Sequence, residues 1–515
     1  MRIKQLTLFL SILLIILSGC SKKETVFRIP FTSMPETYDK LIRAEFFTNI
    51  VNDNIFEELV KSEADRAETS LAEYWYNPND SLYVVKLREN SRFSNGKKFT
   101  AKDAKASIER ALTHPSSFIK ELVKVDSIII KNEYMLYIYH PNSPFIVSLF
   151  NIAPMYSEDI LSRFDDRYLA ENPLGTGKYF LFSSSPDLIV LKKNKYHPKY
   201  KQNKKSPDTI EIYYEPSITN QYNMLKNNQV DFMFNIPAEK YPELINNKRF
   251  QIIEKLSNVV MYMMFDVNSE NSPEISLYSH SEISNPLSDK RVRLAMAHAI
   301  DTQAFIDKQL NSKALRLSLP LLCNLRGYQT DLPYINKDIA KAKQLLHEAG
   351  FAEGFAIRLR SIQKKFSGDY ELAIFIKNSL KEINIDVEID FYHSDEFYKS
   401  LDDKPASVFL TGYTTKARSI TSSVRSLYFS ENNTRSPQNR MNYHISEVNN
   451  LYKETLKISD YDFRHNELLR EISLILYDKF YILPFYQPFD LIGLNNKFAW
   501  NYRNENFSFS DFRVK

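Results

Sequence analysis

Only ten of the 515 residues are glycine, against a usual share of roughly 7 %. Glycine lets a backbone reach positive φ or approach a phosphate closely. Phosphate-cradling loops with several closely spaced glycines therefore have little room in this chain, and most turns must be built from Asn, Asp, Ser and Pro. With 43 % hydrophobic and 25 % charged residues the chain is of globular make-up, which excludes wholesale disorder. The 32 Tyr and 35 Phe leave ample ring surface for cores or pockets. Lys+Arg 67 against Asp+Glu 63 gives a net charge of +4, too small for nucleic-acid binding by bulk charge. Length alone suggests about three domains.

Arg2 and Lys4 precede an apolar run from Leu6 to Leu17. That run is too short to span a hydrocarbon core of roughly 30 Å and fits the h-region of a secretory signal. Leu17-Ser18-Gly19-Cys20 resembles the bacterial lipobox, in which the Cys is lipidated and becomes the mature N-terminus. A signal peptide over 1–19 and a lipidated Cys20 opening a tether over 20–24 are expected. Cys323 would then be the remaining thiol, with no partner for an intrachain disulfide. No other apolar run reaches 18 residues, so the expected product is a body outside the cytoplasm, anchored to the cell membrane by lipid.

The remaining pattern alternates strands and helices. Strands are expected at 25–33, 82–87, 127–130, 134–139, 179–183, 188–192, 209–214, 230–234, 258–265, 357–360, 387–391 and 407–410. Helices are expected at 54–60, from Thr100 to Leu112, and at 219–226, 289–310, 338–349, 370–383 and 467–477. Thr100 with Asp103 three residues on reads as a helix start, and His114-Pro115 as its stop. Asn95-Gly96 signals a type I′ turn. Residues 269–286, rich in Ser, Asn and Pro, are the best linker candidate and divide the chain into two mixed α/β blocks.

Catalytic signatures are missing. There is no Gly-x-Ser-x-Gly elbow. Gly175-Thr176-Gly177-Lys178 has Phe180 where the dinucleotide fingerprint wants glycine, so it reads as a turn. The nine histidines are scattered, with no His-x-x-x-His spacing. Asp165-Asp166 and Asp402-Asp403 read as solvated turns, and Cys323 as a buried, inert thiol. No enzyme activity, cofactor or metal is expected. A secreted hydrolase is the rival from another class, and it would need a constellation that no local motif supplies.

Six segments, in order, resemble the peptide/nickel-type extracytoplasmic solute-binding proteins of ABC importers. They are Leu71–Trp75 with Tyr83–Arg88, Phe93–Asp103, Asn172–Tyr179, Gln229–Asp231, Asp289–Asp301 and Ala340–Phe351. The resemblance implies an α/β, two-lobed periplasmic-binding-protein-like fold with hinged lobes. Lobe one would comprise 25–45, 170–260 and 484–515, with 46–169 inserted as a subdomain; lobe two would be 261–483. It further implies a monomer that closes over an oligopeptide in the cleft between its lobes and delivers it to an ABC permease complex. The ligand would lie extended, paired with backbone groups. In one branch of the family an Asp near lobe two's site holds the peptide's amino terminus. Here the matching stretch runs from Thr411 to Ala417 and places Lys416 at the Asp position, with Arg418 and Arg425 close by. A cation there repels an ammonium, which points to a ligand with an anionic or blocked end. A metal complex or haem is the other non-standard solute to weigh. Phe46, Phe47, Tyr413, Tyr486 and Phe489 are the aromatic candidates for flooring ligand pockets, with core packing as their alternative use.

Overall fold

The computed structural model describes residues 24–42, 46–63, 66–115, 117, 123–141, 149–150, 153–279, 284–415, 419–431, 434–436, 438–458, 462–501 and 507–515. They form two compact units. The first holds the described residues through Met233 together with Asn247–Gln251 and Gly493–Lys515; the second holds Phe234–Asn246 and Ile252–Ile492.

In chain order the principal elements of the first unit are β1 (Val26–Phe31), α1 (Phe46–Ile55), β2 (Ala72–Asn79), β3 (Leu82–Leu87), α2 (Ala101–Thr113), β4 (Ser127–Asn132), β5 (Met135–Tyr139), β6 (Tyr179–Ser184), β7 (Leu188–Lys193) and β8 (Thr209–Tyr214). One sheet has the order β1-β8-β7-β6, with β1 and β8 parallel. The other is the antiparallel sheet β2-β3-β5-β4. Its inner residues Val85, Leu136 and Ile138 share a core with Ala104 and Ile108 of α2. Period-two alternation in these strands and the 3.6-residue spacing in α2 put those side chains on facing surfaces.

Several motif residues do structural work here. Asp103 accepts the Thr100 N–H (2.8 Å) and hydroxyl (2.9 Å), which fixes the start of α2, and also the Glu158 N–H (2.9 Å). Asp231, fully buried, accepts the Arg28 N–H of β1 at 3.0 Å and pairs with Lys497 at 2.5 Å. Gly175 and Gly177 lie against the last turn of α1. A Cβ on Gly175 would sit 2.0 Å from the Ile55 carbonyl oxygen, and the Gly177 N–H donates to that same oxygen at 2.8 Å. The Gly-Thr-Gly turn therefore caps the Ile55 carbonyl at the end of α1.

Two turn and helix expectations need correction in this unit. The helix expected at 54–60 instead ends at Ile55 and begins at Phe46. At Asn95-Gly96 only Gly96 has positive φ (+90°), whereas a type I′ turn needs two such residues. The loop is a longer one, closed by Gly96 N–H to Phe93 O (2.8 Å) and Phe93 N–H to Lys97 O (2.9 Å).

The second unit contributes β9 (Val259–Phe265), α3 (Lys290–Ala299), β10 (Phe355–Ile362), α4 (Asp369–Lys381), β11 (Ile385–Tyr392), α5 (Ser394–Asp403), β12 (Val408–Thr414), α6 (Phe463–Lys479) and β13 (Ile482–Asn495), whose residues from Gly493 belong to the first unit. Its strands run side by side as β13-β9-β12-β10-β11. The β12–β10 and β10–β11 pairs are parallel, while β9 is antiparallel to both neighbours. The helix expected over 289–310 is broken: Ile300 is extended and Asp301 caps a second helix by accepting the Ala304 N–H at 2.9 Å. Asp is a better cap than interior residue, so the chain restarts there. Arg293 on α3 donates to the carbonyls of Leu287 (2.7 Å), Ser288 (3.0 Å), Lys479 (2.7 Å) and Phe480 (2.9 Å), closing the C-terminus of α6. The described residues of the Ser/Asn/Pro-rich stretch 269–286 lie within this unit and do not divide the chain. Ser272 and Asn285 tie it to Asp266, the latter at 3.0 Å.

Candidate functional site

In α/β sheets, ligands gather outside the carboxyl ends of the strands, where strand order reverses. In the second unit that point is β10. The chain runs from β10 through α4 to β11 on one flank, then returns through α5 to β12 on the other. The loops beyond β10 and β12 therefore form the candidate site of this unit.

Beyond β10 lies 363–368. Asp369, at the start of α4, accepts the N–H groups of Lys364 (3.0 Å), Lys365 (2.9 Å), Phe366 (2.9 Å) and Tyr370 (2.7 Å), which fixes the loop's path. Even so, burial raises its carboxyl above the usual range, the four N–H groups pulling the other way. The Phe366 ring lies on Gly412 of β12, where a Cβ would come within 2.8 Å of it. Glycine at 412 is thus demanded by close approach. The Tyr486 hydroxyl donates to the Ser367 carbonyl at 2.8 Å.

Beyond β12, the Thr415 N–H donates to Asn258 O at 3.3 Å, beside the start of β9. Gln487, fully buried on β13, ties two further segments to it, 257 and 323–324. Its amide donates to Ser257 O (2.6 Å) and Asn324 Oδ1 (3.0 Å), and its carbonyl accepts the Cys323 N–H (2.9 Å). Cys323 is half-buried and free, and burial pushes its thiol up, away from the reactive thiolate.

The expected aromatic residues fall into distinct settings. Tyr413, near the end of β12, is 8 % exposed and packs with Val260 and Tyr262. Tyr486 is fully buried, its ring 5.8 Å from that of Phe305, and burial raises its hydroxyl well above the usual range. Phe489 is half-buried and its N–H donates to Lys313 O at 2.9 Å. Beside it, burial pushes the Asp490 carboxyl up to about 6, with Lys255 acting against the shift. Lys416, Arg418 and Cys20 lie outside the described residues.

In the first unit the parallel strands β1 and β8 end side by side, with the Glu215 N–H donating to Phe31 O at 2.9 Å. Phe47 packs on Phe31 with ring centroids 4.3 Å apart, and Phe46 projects beyond it, 54 % exposed. So α1 begins at the carboxyl end of β1.

The loop 363–368, Gln487 and Asp490 were missed by sequence reasoning. Gly368 marks a turn at 363–368, but nothing local marks Gln487, whose partners lie far away in sequence. Among the described residues no three His, Cys, Asp or Glu side chains come together as a metal site requires. No helix among them is long and apolar enough to cross a membrane.

The chain is 24 % identical over 400 residues to the nickel-binding protein NikA of Staphylococcus aureus, covering 76 % of this chain and 74 % of that one. It is 25 % identical over 475 residues to the glutathione-binding protein GsiB of Salmonella paratyphi A, covering 87 % and 86 %. Its fold is similar to that of the periplasmic binding protein DppA of Helicobacter pylori in complex with the peptide STSA. The TM-score there is 0.71 at 19 % identity, over 96 % of this chain and 99 % of that one. The sequence pattern of the bacterial extracellular solute-binding proteins, family 5 (middle) matches residues 66–435, more than half of the chain. The chain therefore belongs to family 5 of the bacterial extracellular solute-binding proteins.

Proposed function

We propose that this protein captures oligopeptides outside the cytoplasm and hands them to an ABC permease, performing no chemistry on them. The family match over 66–435 carries this reading. The peptide-bound Helicobacter pylori neighbour and the glutathione-binding relative support a peptide as cargo. Capture and release need only a site whose closed, loaded form differs from its open form, a difference that a permease can sense.

In this reading the ligand residues are Phe46, Phe47, Tyr413, Lys416, Arg418, Tyr486 and Phe489. Phe46, at the start of α1, is the most exposed of these rings and the one best placed to meet a ligand side chain. Tyr486, whose hydroxyl is spent on Ser367, acts by positioning the loop 363–368. Lys416 and Arg418 favour a ligand with an anionic or N-blocked end. The protein works as a monomer, with lobe one at 25–45, 170–260 and 484–515, an inserted subdomain at 46–169 and lobe two at 261–483.

Mass spectrometry of ligand released by denaturing the purified protein identifies the cargo, and an oligopeptide is expected. Titration with free-amine, N-acetylated and carboxyl-rich peptides tests the anionic end. Tight binding of plain free-amine tripeptides, unchanged by Lys416→Asp, would sink that part. Acylation of Cys20 tethers the body to the membrane in this reading. Cys20→Ser is expected to shift the protein from the membrane fraction to the soluble one, and an unchanged distribution would overturn the anchor.

A further inference from the structure

A cavity of about 580 Å³ opens on the second unit, and none of the loops beyond β10 and β12 lines it. Its volume is that of a small-molecule site, roughly 300–1,000 Å³. Lys290, Leu294 and His298, spaced four residues apart on one face of α3, form one side. Tyr477 and Phe480 at the end of α6 form the second. The third is the irregular stretch 334–338 together with Lys341, in the first turn of the helix Ile339–Glu348.

That third wall is fixed from three directions. The Arg316 guanidinium donates to Ile335 O and to Asn336 Oδ1, the latter at 2.9 Å. His298 Nδ1 donates to Asn336 O at 2.8 Å, and the Tyr477 hydroxyl donates to Pro333 O at 2.9 Å. Three separate elements thus spend polar side chains on a wall that is itself neither helix nor strand. Its Tyr334 ring is 50 % exposed, held over the Arg316 guanidinium at 5.1 Å. A ring fixed in advance and left at the surface can receive an apolar body at little ordering cost. With Nδ1 engaged, His298 has Nε2 left to bond.

The charges around the cavity are mainly positive. Its lining holds three lysines against two carboxylates, Asp338 and Asp478. Asp338 is engaged as a helix cap, accepting the Lys341 N–H at 2.9 Å. Lys290 pairs with Asp478 (2.6 Å) and Lys337 with Glu382 (2.8 Å), but both carboxylates are exposed. Such pairs are worth little and exchange readily for another anion. Lys341 is exposed, and its ammonium has no ion-pair partner among the described residues.

We infer that this cavity binds a small amphiphilic carboxylate, its ring-bearing apolar body against Tyr334, Leu294 and Phe480 and its anionic end on Lys341. The site is separate from the cargo site and does not depend on the carrier reading.

The test is calorimetric titration of the full chain in a non-ionic detergent with phenylacetate, indole-3-acetate and the neutral indole-3-acetamide. Indole-3-acetate is expected to bind about tenfold tighter than its amide, as a charge-assisted hydrogen bond allows. Lys341→Glu is expected to remove that advantage. Tyr334→Ala is expected to weaken acid and amide alike by about fivefold, through the lost ring contact. Both side chains are exposed, so neither variant is expected to lower the melting temperature. Saturable binding of the acids with these losses supports the inference. No saturable binding, an amide that binds as well as its acid, or acid affinity that either variant leaves unchanged overturns it.

Discussion

Asp490 lies three residues before the point at which β13 leaves the second unit. Burial pushes its carboxyl from 3.8 up to about 6. Between these values the folded chain holds a proton that the unfolded chain has lost, so stability falls as pH rises through this window. Asn at the same position has no charge to bury. Asp490→Asn is therefore expected to match the wild type near pH 3.8 and to exceed its denaturation midpoint above pH 6, read in urea titrations across that range. A difference that stays flat with pH would remove Asp490 as the source. Nothing in the local sequence marks this residue, because its shift comes from what the fold packs around it. Thr100 and Asp103 differ in kind: their capping role depends on a spacing of three residues and was legible directly.

At the scale of elements, glycine scarcity acquires a particular meaning. Gly175 stands where a strand-preceding turn meets the last turn of α1, with no room for a methyl group beside the Ile55 carbonyl. The same residue's carbonyl accepts the Ser94 N–H at 3.0 Å, joining the Asn-Gly loop to this turn. Two motifs far apart in sequence thus meet at one helix end. Gly175→Ala is expected to cost about 3 kcal/mol of stability, as overpacking of a tight contact does, measured by urea unfolding. A loss under about 1 kcal/mol would mean that the helix end gives way easily. Strand and helix periodicity placed most elements within a few residues of where they stand. The break at Ile300-Asp301 was missed because the apolar helical pattern continues through it, while a single capping carboxylate decides the stop.

For the whole molecule, the family match and the shared fold place this chain among the extracellular solute-binding proteins. A carrier must be stabilised by its cargo, since a ligand that binds only the folded state adds RT ln(1 + [L]/Kd), about 2.7 kcal/mol at a hundredfold excess over Kd. Calorimetric melting with and without the copurified ligand is expected to show an upward shift that grows with ligand concentration. No shift with that ligand or with any added oligopeptide would sink the carrier reading. The first unit draws on three separated stretches of chain, Gly493–Lys515 among them. Periodicity alone does not announce that a C-terminal stretch belongs with the N-terminal sheet; the resemblance implied it, by assigning 484–515 to lobe one. The sequence by itself determined the alternation of helices and strands, the Thr100–Asp103 helix start and the family, because each rests on the spacing of near neighbours. Only the tertiary structure decided that 363–368 and 415 lie at the carboxyl ends of β10 and β12. It likewise decided that Gln487 binds two distant segments to β13. Those facts depend on which distant residues the chain brings together, and burial and pairing are properties of that assembly.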